Sequence, residues 1–222
     1  MILGDFGTSY CKFLDLAAPG GEPSIIATKE LPSQTRVDLA TGHLGKRFAD
    51  RYVNELIALA RGGEALIEED EYVLLDCGSR DIKFIKYQNG KLADMGWNAE
   101  CGASMGFTIE LLERYYELDY TQLRVPEQTF SVTCGVLGMS DIFDAVISGV
   151  PVAEAVARFV KGIALNAYRF AGSPPHLYLS GGLCDNPLFV GSFPCQVTVL
   201  GRFVLLRGLE AEARQPNPPT QA

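Results

Sequence analysis

Two aspartates stand at the ends of short apolar strands, and each opens the same pattern. Asp5-Phe6-Gly7-Thr8-Ser9-Tyr10-Cys11-Lys12-Phe13-Leu14 aligns without gaps on Asp76-Cys77-Gly78-Ser79-Arg80-Asp81-Ile82-Lys83-Phe84-Ile85. Aspartate, glycine, a hydroxyl, lysine and phenylalanine recur at equal offsets, so the chain carries an internal repeat, which suggests a duplicated lobe. The chemistry is that of a phosphate chain with its magnesium. A carboxylate at Asp5 or Asp76 suits an ion that prefers oxygen ligands and keeps several waters. Gly7, Thr8 and Ser9, and Gly78 and Ser79, let backbone amides approach phosphate oxygens, with the hydroxyls as further donors. Asp76 or Asp81 is placed to orient the attacking water that phosphoryl transfer needs. Lys12 and Lys83, four residues past each hydroxyl, either reach phosphate or are solvated strand residues.

A third glycine site lies far downstream. Gly181-Gly182 lets the backbone lie close to an adenine and ribose, with Asn186 nearby at a helix start; taken alone, such a pair is an ordinary turn. Six cysteines remain to be placed. Cys11, Cys77, Cys184 and Cys195 lie in or beside apolar strands and turns and read as buried structural thiols. Cys101 and Cys134 differ, because each precedes glycine and a predicted helix, where the helix N-terminus favours a thiolate. Two buried structural cysteines are the alternative. Glu55 reads as a solvated helix residue or one facing the nucleotide. His43 and His176 are too isolated for a metal site, and Trp97 reads as a strand packing residue.

The elements that must position these residues follow from spacing and turns. Short strands are expected at 1–4, 11–16, 24–31 and 36–41, then a helix on Phe48, Tyr52, Leu56 and Ala60 ending at Gly62-Gly63. Strands at 72–75, 84–87 and 91–97 surround Asn89-Gly90, a type I′ hairpin signal. A helix from Cys101 is expected to use Phe107, Leu111, Tyr115 and Leu118. A strand at 130–133, a helix on Met139, Ile142, Phe143, Val146 and Ile147, and a longer helix from Pro151 follow. Strands at 176–180 and 196–200, a short helix from Pro187 and a final helix at 202–213 complete the chain, leaving a proline-rich flexible tail at 215–222. This order gives an α/β class of two related lobes: an N-terminal lobe over 1–68, onto which the last helix packs back, and a C-terminal lobe over 69–214.

Composition bounds the rest. The chain has 222 residues, 47% of them hydrophobic, and a formal charge of −8, which argues against wide contact with nucleic acid or acidic lipid. No signal peptide and no spanning helix is expected, since the most apolar stretch carries Arg158, Lys161 and Arg169. A cytoplasmic protein with reduced thiols is the expectation.

The two Asp-x-Gly-(Thr/Ser) hairpins with Ser180-Gly181-Gly182 resemble the phosphate and adenosine motifs of the actin, Hsp70 and sugar-kinase superfamily. Ala40-Thr41-Gly42, Ala60-Arg61-Gly62, Asn98-Ala99-Glu100-Cys101, Cys134 and Gly181-Gly182-Leu183-Cys184-Asp185-Asn186-Pro187 further resemble the ATPases that activate 2-hydroxyacyl-CoA dehydratases, and the ATPase subunits of benzoyl-CoA reductase. The resemblance implies an actin-like (ribonuclease H-like) ATPase fold with a nucleotide cleft between two duplicated lobes, binding ATP/ADP and Mg2+. It also implies a homodimer bridged by one [4Fe-4S] cluster, with Cys101 and Cys134 of each chain as ligands. A cubane takes four protein ligands, so two per chain agrees with a dimer. ATP hydrolysis then drives a low-potential electron, supplied by reduced ferredoxin or flavodoxin, into a partner iron–sulfur reductase or dehydratase. The family's usual Gly-Gly-Gln-Asp is Gly78-Ser79-Arg80-Asp81 here. Two other readings stay open: a small-molecule kinase of the same superfamily, and a nucleotide-binding partner protein with little turnover.

Overall fold

The computed structural model describes residues 1–18, 20–98, 105–132, 135 and 137–214. Cys101, Cys134 and the tail at 215–222 lie outside the described residues. The chain divides into two units, one of Met1–Glu69 with Phe203–Ala222 and one of Asp70–Arg202. Among the described residues no helix is long and apolar enough to cross a membrane.

In the first unit β1 (Ile2–Phe6), β2 (Tyr10–Asp15) and β3 (Ser24–Ala27) form an antiparallel meander, and β4 (Val37–Thr41) and β5 (Ala49–Tyr52) add in parallel beside β1. A single turn of helix, α1 (Gly45–Phe48), joins β4 to β5, and α2 (Glu55–Leu66) follows. The single helix expected over Phe48 to Gly62 is therefore corrected. Residues 49–52 gain more by pairing with β4, and Asn54 starts a new helix by accepting the amide of Leu56 at 2.9 Å, as an N-cap does. Nor does Gly62-Gly63 end that helix. A Cβ on Gly62 would meet the Val204 carbonyl at 2.2 Å, and one on Gly208 would meet the Ala58 carbonyl at 1.8 Å. Here glycine brings the backbones of α2 and α7 (Val204–Arg214) together.

The second unit repeats the sheet. β6 (Tyr72–Cys77), β7 (Ile82–Gln88) and β8 (Lys91–Asn98) form the meander, and β9 (His176–Ser180) and β10 (Gln196–Gly201) add in parallel beside β6. Asn89 and Gly90 both have positive φ, 52° and 67°, as a type I′ turn requires. Among the described residues α3 (Met105–Tyr116), α4 (Gly138–Ile147) and α5 (Val152–Phe170) lie between β8 and β9. Residues 182–185 form a 3-10 turn after β9, and α6 (Pro187–Gly191) precedes β10. The amphipathic α5 buries Val156, Phe159, Val160, Ile163 and Ala167, the face its spacing predicts, beneath Leu75, Leu177 and Leu179 of the sheet.

Two expectations fail in this unit. Residues 130–132 pair with no strand; Phe130 donates its amide to the Arg158 carbonyl, and this segment lies along α5 instead. On α3 the buried residues described are Gly106, Thr108, Ile109 and Leu112, while Phe107, Leu111 and Tyr115 are exposed, Tyr115 by 76%. Of the expected stripe, Leu118 lies past the end of α3 and packs against the core, while the other three residues face away from it.

The α2–α7 crossing yields a direct test. Gly208→Ala is expected to cost at least about 2 kcal/mol of stability, because the overlap falls on backbone that cannot rotate away. Urea denaturation reads it, with half-buried Ala211→Ser as the comparison in the same helix.

Candidate functional site

Two half-sites occupy the ends of β1 and β6. In the first, Gly7 donates its amide to the Tyr10 carbonyl at 3.1 Å, and a Cβ on Gly7 would meet that oxygen at 2.8 Å. In the second, Gly78 donates to the Asp81 carbonyl at 3.0 Å. The repeated sequence thus folds into one repeated turn. Asp5 is 4% exposed and accepts from Lys12 Nζ at 2.7 Å. Thr28 braces this turn, its hydroxyl donating to the Gly7 carbonyl and its amide to the Ser9 carbonyl. Thr8 is exposed and Ser9 half-buried at the tip.

The second half-site is more heavily built. Asp76 and Asp81 are each 5% exposed and Lys83 is 2% exposed. Lys83 Nζ lies 2.7 Å from Asp81 Oδ1, Trp97 Nε1 donates to Asp81 Oδ2 at 2.7 Å, and the ammonium sits over the indole ring. Ser180 Oγ donates to Asp76 Oδ1 at 2.5 Å. Neither Lys12 nor Lys83 is a solvated strand residue. Asp81 holds Lys83 and Trp97 through its two oxygens. Trp97, read from sequence as packing, is a hydrogen-bond donor to a buried carboxylate.

A closed set of contacts ties this turn to α3. A Cβ on Gly106 would meet the Gly78 carbonyl at 2.4 Å, Phe107 donates its amide to the Ser79 carbonyl at 2.9 Å, and Ser79 Oγ donates to Glu110 Oε1 at 3.3 Å. The Ser79 hydroxyl therefore has a protein acceptor. Burial raises the Glu110 carboxyl above its ordinary range, with the Ser79 hydroxyl opposing.

At the third glycine site Gly181 has φ +90°, and a Cβ there would meet the backbone of Cys77. Gly182 has open space, its carbonyl accepting from Arg202 at 3.3 Å. Arg202 Nε also pairs with Asp185 at 2.8 Å. Asn186 caps α6, accepting from the Phe189 amide at 3.0 Å. Gly42 is the counterpart of Gly181, with φ +89° and its absent Cβ aimed at the backbone of Phe6. Next to it His43 Nδ1 lies 2.9 Å from Glu55 Oε1, and Glu55, at 5% exposure, is not the solvated helix residue that its position suggested.

Glu110, Arg202, Thr28 and the Trp97 donor escaped the sequence reading because their partners are distant in the chain. Thr41-Gly42 against Ser180-Gly181 left a usable signal, since a hydroxyl and a glycine close the central parallel strand of each lobe. Cys11, Cys77 and Cys184 are buried and reduced. Burial pushes the Cys77 thiol well up and the Cys184 thiol up to about 12, so neither supplies a thiolate near neutral pH.

Repeated sheets with paired aspartate–glycine turns define an actin-like fold of two lobes. No protein-family model matches the chain. Two proteins to which it is similar are named as dehydratase activators. It is 26% identical over 155 residues to the 2-hydroxyisocaproyl-CoA dehydratase activator of Clostridioides difficile, covering 65% of this chain and 58% of that protein. It is 24% identical over 161 residues to the (R)-2-hydroxyglutaryl-CoA dehydratase activating ATPase of Acidaminococcus fermentans, covering 67% and 61%. The match thus spans about six-tenths of those relatives' length. In backbone it superposes on the Clostridium difficile activator with bound ADPNP at TM-score 0.72, 19% identity and 99% of both chains. For component A of the Acidaminococcus fermentans dehydratase the values are 0.74, 17%, and 95% and 94% of the two chains.

Two variants probe the second half-site. Trp97→Phe is expected to cost about 1–3 kcal/mol in urea denaturation, because a buried carboxylate oxygen loses its donor. Glu110→Gln acts through pH. A carboxyl whose folded pKa is raised contributes stability below its unfolded pKa and loses it as pH rises through the folded one. The variant is therefore expected to melt above the parent at neutral pH, with the difference closing near about pH 4.

Proposed function

We propose that this chain binds ATP with magnesium and hydrolyses it. We further propose that this turnover is coupled to low-potential electron transfer from a [4Fe-4S] cluster, bridging a homodimer, to a partner iron–sulfur enzyme. That partner is of the 2-hydroxyacyl-CoA dehydratase or benzoyl-CoA reductase type, with reduced ferredoxin or flavodoxin as electron source and the cytoplasm as its place. The observation that carries the nucleotide reading is the phosphate turn built twice, each with a buried aspartate at its strand end and glycine against a carbonyl. Relatives named as dehydratase activators, and a similar fold solved with bound ADPNP, support the same assignment.

The residues fit a hydrated magnesium ion. Asp5 and Asp76 offer carboxylate oxygens beside backbone turns, the hard-oxygen donor set that Mg2+ prefers. Gly7, Thr8, Ser9, Gly78, Ser79, Lys12 and Lys83 would meet the phosphates, and Gly181, Gly182 and Asn186 the nucleoside. Asp81 keeps Lys83 in place. For the cluster, Cys101 and Cys134 are the candidate ligands, and the group would supply a one-electron carrier.

Coupling has support on this chain's own residues. Gly78 and Ser79 touch Gly106, Phe107 and Glu110 directly, and only residues 102 to 105 separate Gly106 from Cys101. A phosphate that shifts Ser79 must also shift the first turn of α3. The dimer reading draws on exposed apolar side chains on the helix following each candidate ligand: Phe107, Leu111 and Tyr115 on α3, Phe143 and Ile147 on α4. Such exposure is a mark of interaction surfaces.

Anaerobic purification with iron, sulfide and EPR analysis tests the proposal, run beside magnesium-dependent ADP release. The expected result is a coloured dimer with about four irons, lost in both Cys101→Ser and Cys134→Ser, with ADP release retained. An iron-free protein that cannot be reconstituted would sink the cluster. ADP release without iron, dependent on a small-molecule acceptor, would instead indicate a kinase.

A further inference from the structure

The same three-part device occurs once in each unit, and the two copies differ by a hydrogen bond. Parallel pairing sets Asp5 of β1 opposite Thr41 of β4, and Asp76 of β6 opposite Ser180 of β9. Each hydroxyl is followed by a glycine at φ near +90° whose Cβ would strike the backbone of the residue after the aspartate: Gly42 against Phe6 at 2.5–2.7 Å, Gly181 against Cys77 at 2.4–2.7 Å. The glycines lock each strand pair in the same relative position, so Thr41 stands toward Asp5 as Ser180 does toward Asp76.

Ser180 uses that position, donating to Asp76 at 2.5 Å. Thr41 does not: its Oγ1 is fully buried without a partner, in a residue at 0% exposure. Asp5 is instead drawn to the other side, where Lys12 on β2 holds Oδ2 at 2.7 Å. The carboxylate therefore lies between an ammonium that has it and a hydroxyl that lacks an acceptor. A buried hydroxyl without a bond is unfavourable, and an arrangement in which it gains one is favoured whenever the competing cation leaves.

We propose that Thr41 is a positioning residue of the first phosphate turn, donating its hydroxyl to the Asp5 carboxylate once Lys12 is drawn from Asp5 to a nucleotide phosphate. This rests on the ATP reading above. The transfer moves no covalent bond. Lys12 exchanges a carboxylate for a phosphate oxygen, Asp5 exchanges an ammonium for a hydroxyl and a magnesium-bound water, and the orphan hydroxyl becomes satisfied. Because the new bond exists only in the loaded state, it adds to nucleotide affinity and not to the stability of the empty protein.

Calorimetric binding of Mg·ADPNP and melting of the nucleotide-free protein, both on the full chain, decide it. Thr41→Val keeps shape and removes only the hydroxyl. It is expected to melt at or above the parent without nucleotide, yet to bind Mg·ADPNP about tenfold or more weakly. Thr41→Ser restores the hydroxyl and is expected to bind within about threefold of the parent. Ser180→Ala, which breaks an existing bond, is expected to melt lower even without nucleotide. Parental affinity in Thr41→Val overturns the proposal, as does equal weakening in Thr41→Ser, or a lower melting point of empty Thr41→Val. A parent that binds no nucleotide with magnesium overturns the ATP reading and this inference together, which separates the two failures.

Discussion

A carboxylate withdrawn from water must find a cation or a set of donors, and that demand organises both units. Asp5, Asp76 and Asp81 are all nearly inaccessible, and around each the chain supplies the charge or hydroxyl that burial requires. Lys12 answers Asp5, Ser180 answers Asp76, and Lys83 with Trp97 answers Asp81. The aspartates stay at strand ends because a turn with glycine amides follows at once. Such a site is poised for a charged ligand: its groups are already dehydrated, so an entering phosphate or metal exchanges partners and does not strip water from each one.

That organisation depends on backbone approaches that only glycine permits. Gly42 and Gly181 press the turn after one strand onto the residue after the neighbouring aspartate, holding the hydroxyl-bearing residue opposite the acid in register. Gly7 and Gly78 do the same for the amides of the turns after β1 and β6. Repetition of these four contacts in two sheets of identical strand order is stronger support for duplication than the aligned sequence alone, since none of them depends on the particular side chains compared.

Local chemistry made much of this legible before any coordinates. The aspartate turns, the Asn89-Gly90 hairpin, the face of α5 and the α/β class with two lobes all follow from spacing and turn residues whose effect is local. What escaped has tertiary causes. Residues 49–52 fit a helical stripe, yet strand pairing with β4 and the cap at Asn54 overrode it. Gly62-Gly63 imitates a helix end but serves a close helix crossing with α7 from the far end of the chain. Phe107, Leu111 and Tyr115 have the period of a buried face, and period alone does not say whether the cover is this chain's own core. Position alone leaves Glu55 open to solvent or to a ligand, because its partner His43 lies beyond α1 and β5.

The asymmetry between the two half-sites carries the mechanistic content. The second is fully bonded: Asp76 to Ser180, Asp81 to Lys83 and Trp97, Ser79 to Glu110 and α3. A ligand there meets a braced turn, and any displacement passes into α3 through Gly106 and Phe107, because close backbone contact leaves no slack to absorb it. The first half-site retains an unsatisfied hydroxyl at Thr41 beside the Asp5–Lys12 ion pair, so it has a bond still to gain by rearranging. On the ATP reading proposed above, the first half-site is the one free to rearrange and the second the one that passes a displacement on. That division matters on the same reading, because a site that adapted everywhere would dissipate the binding energy before it reached α3.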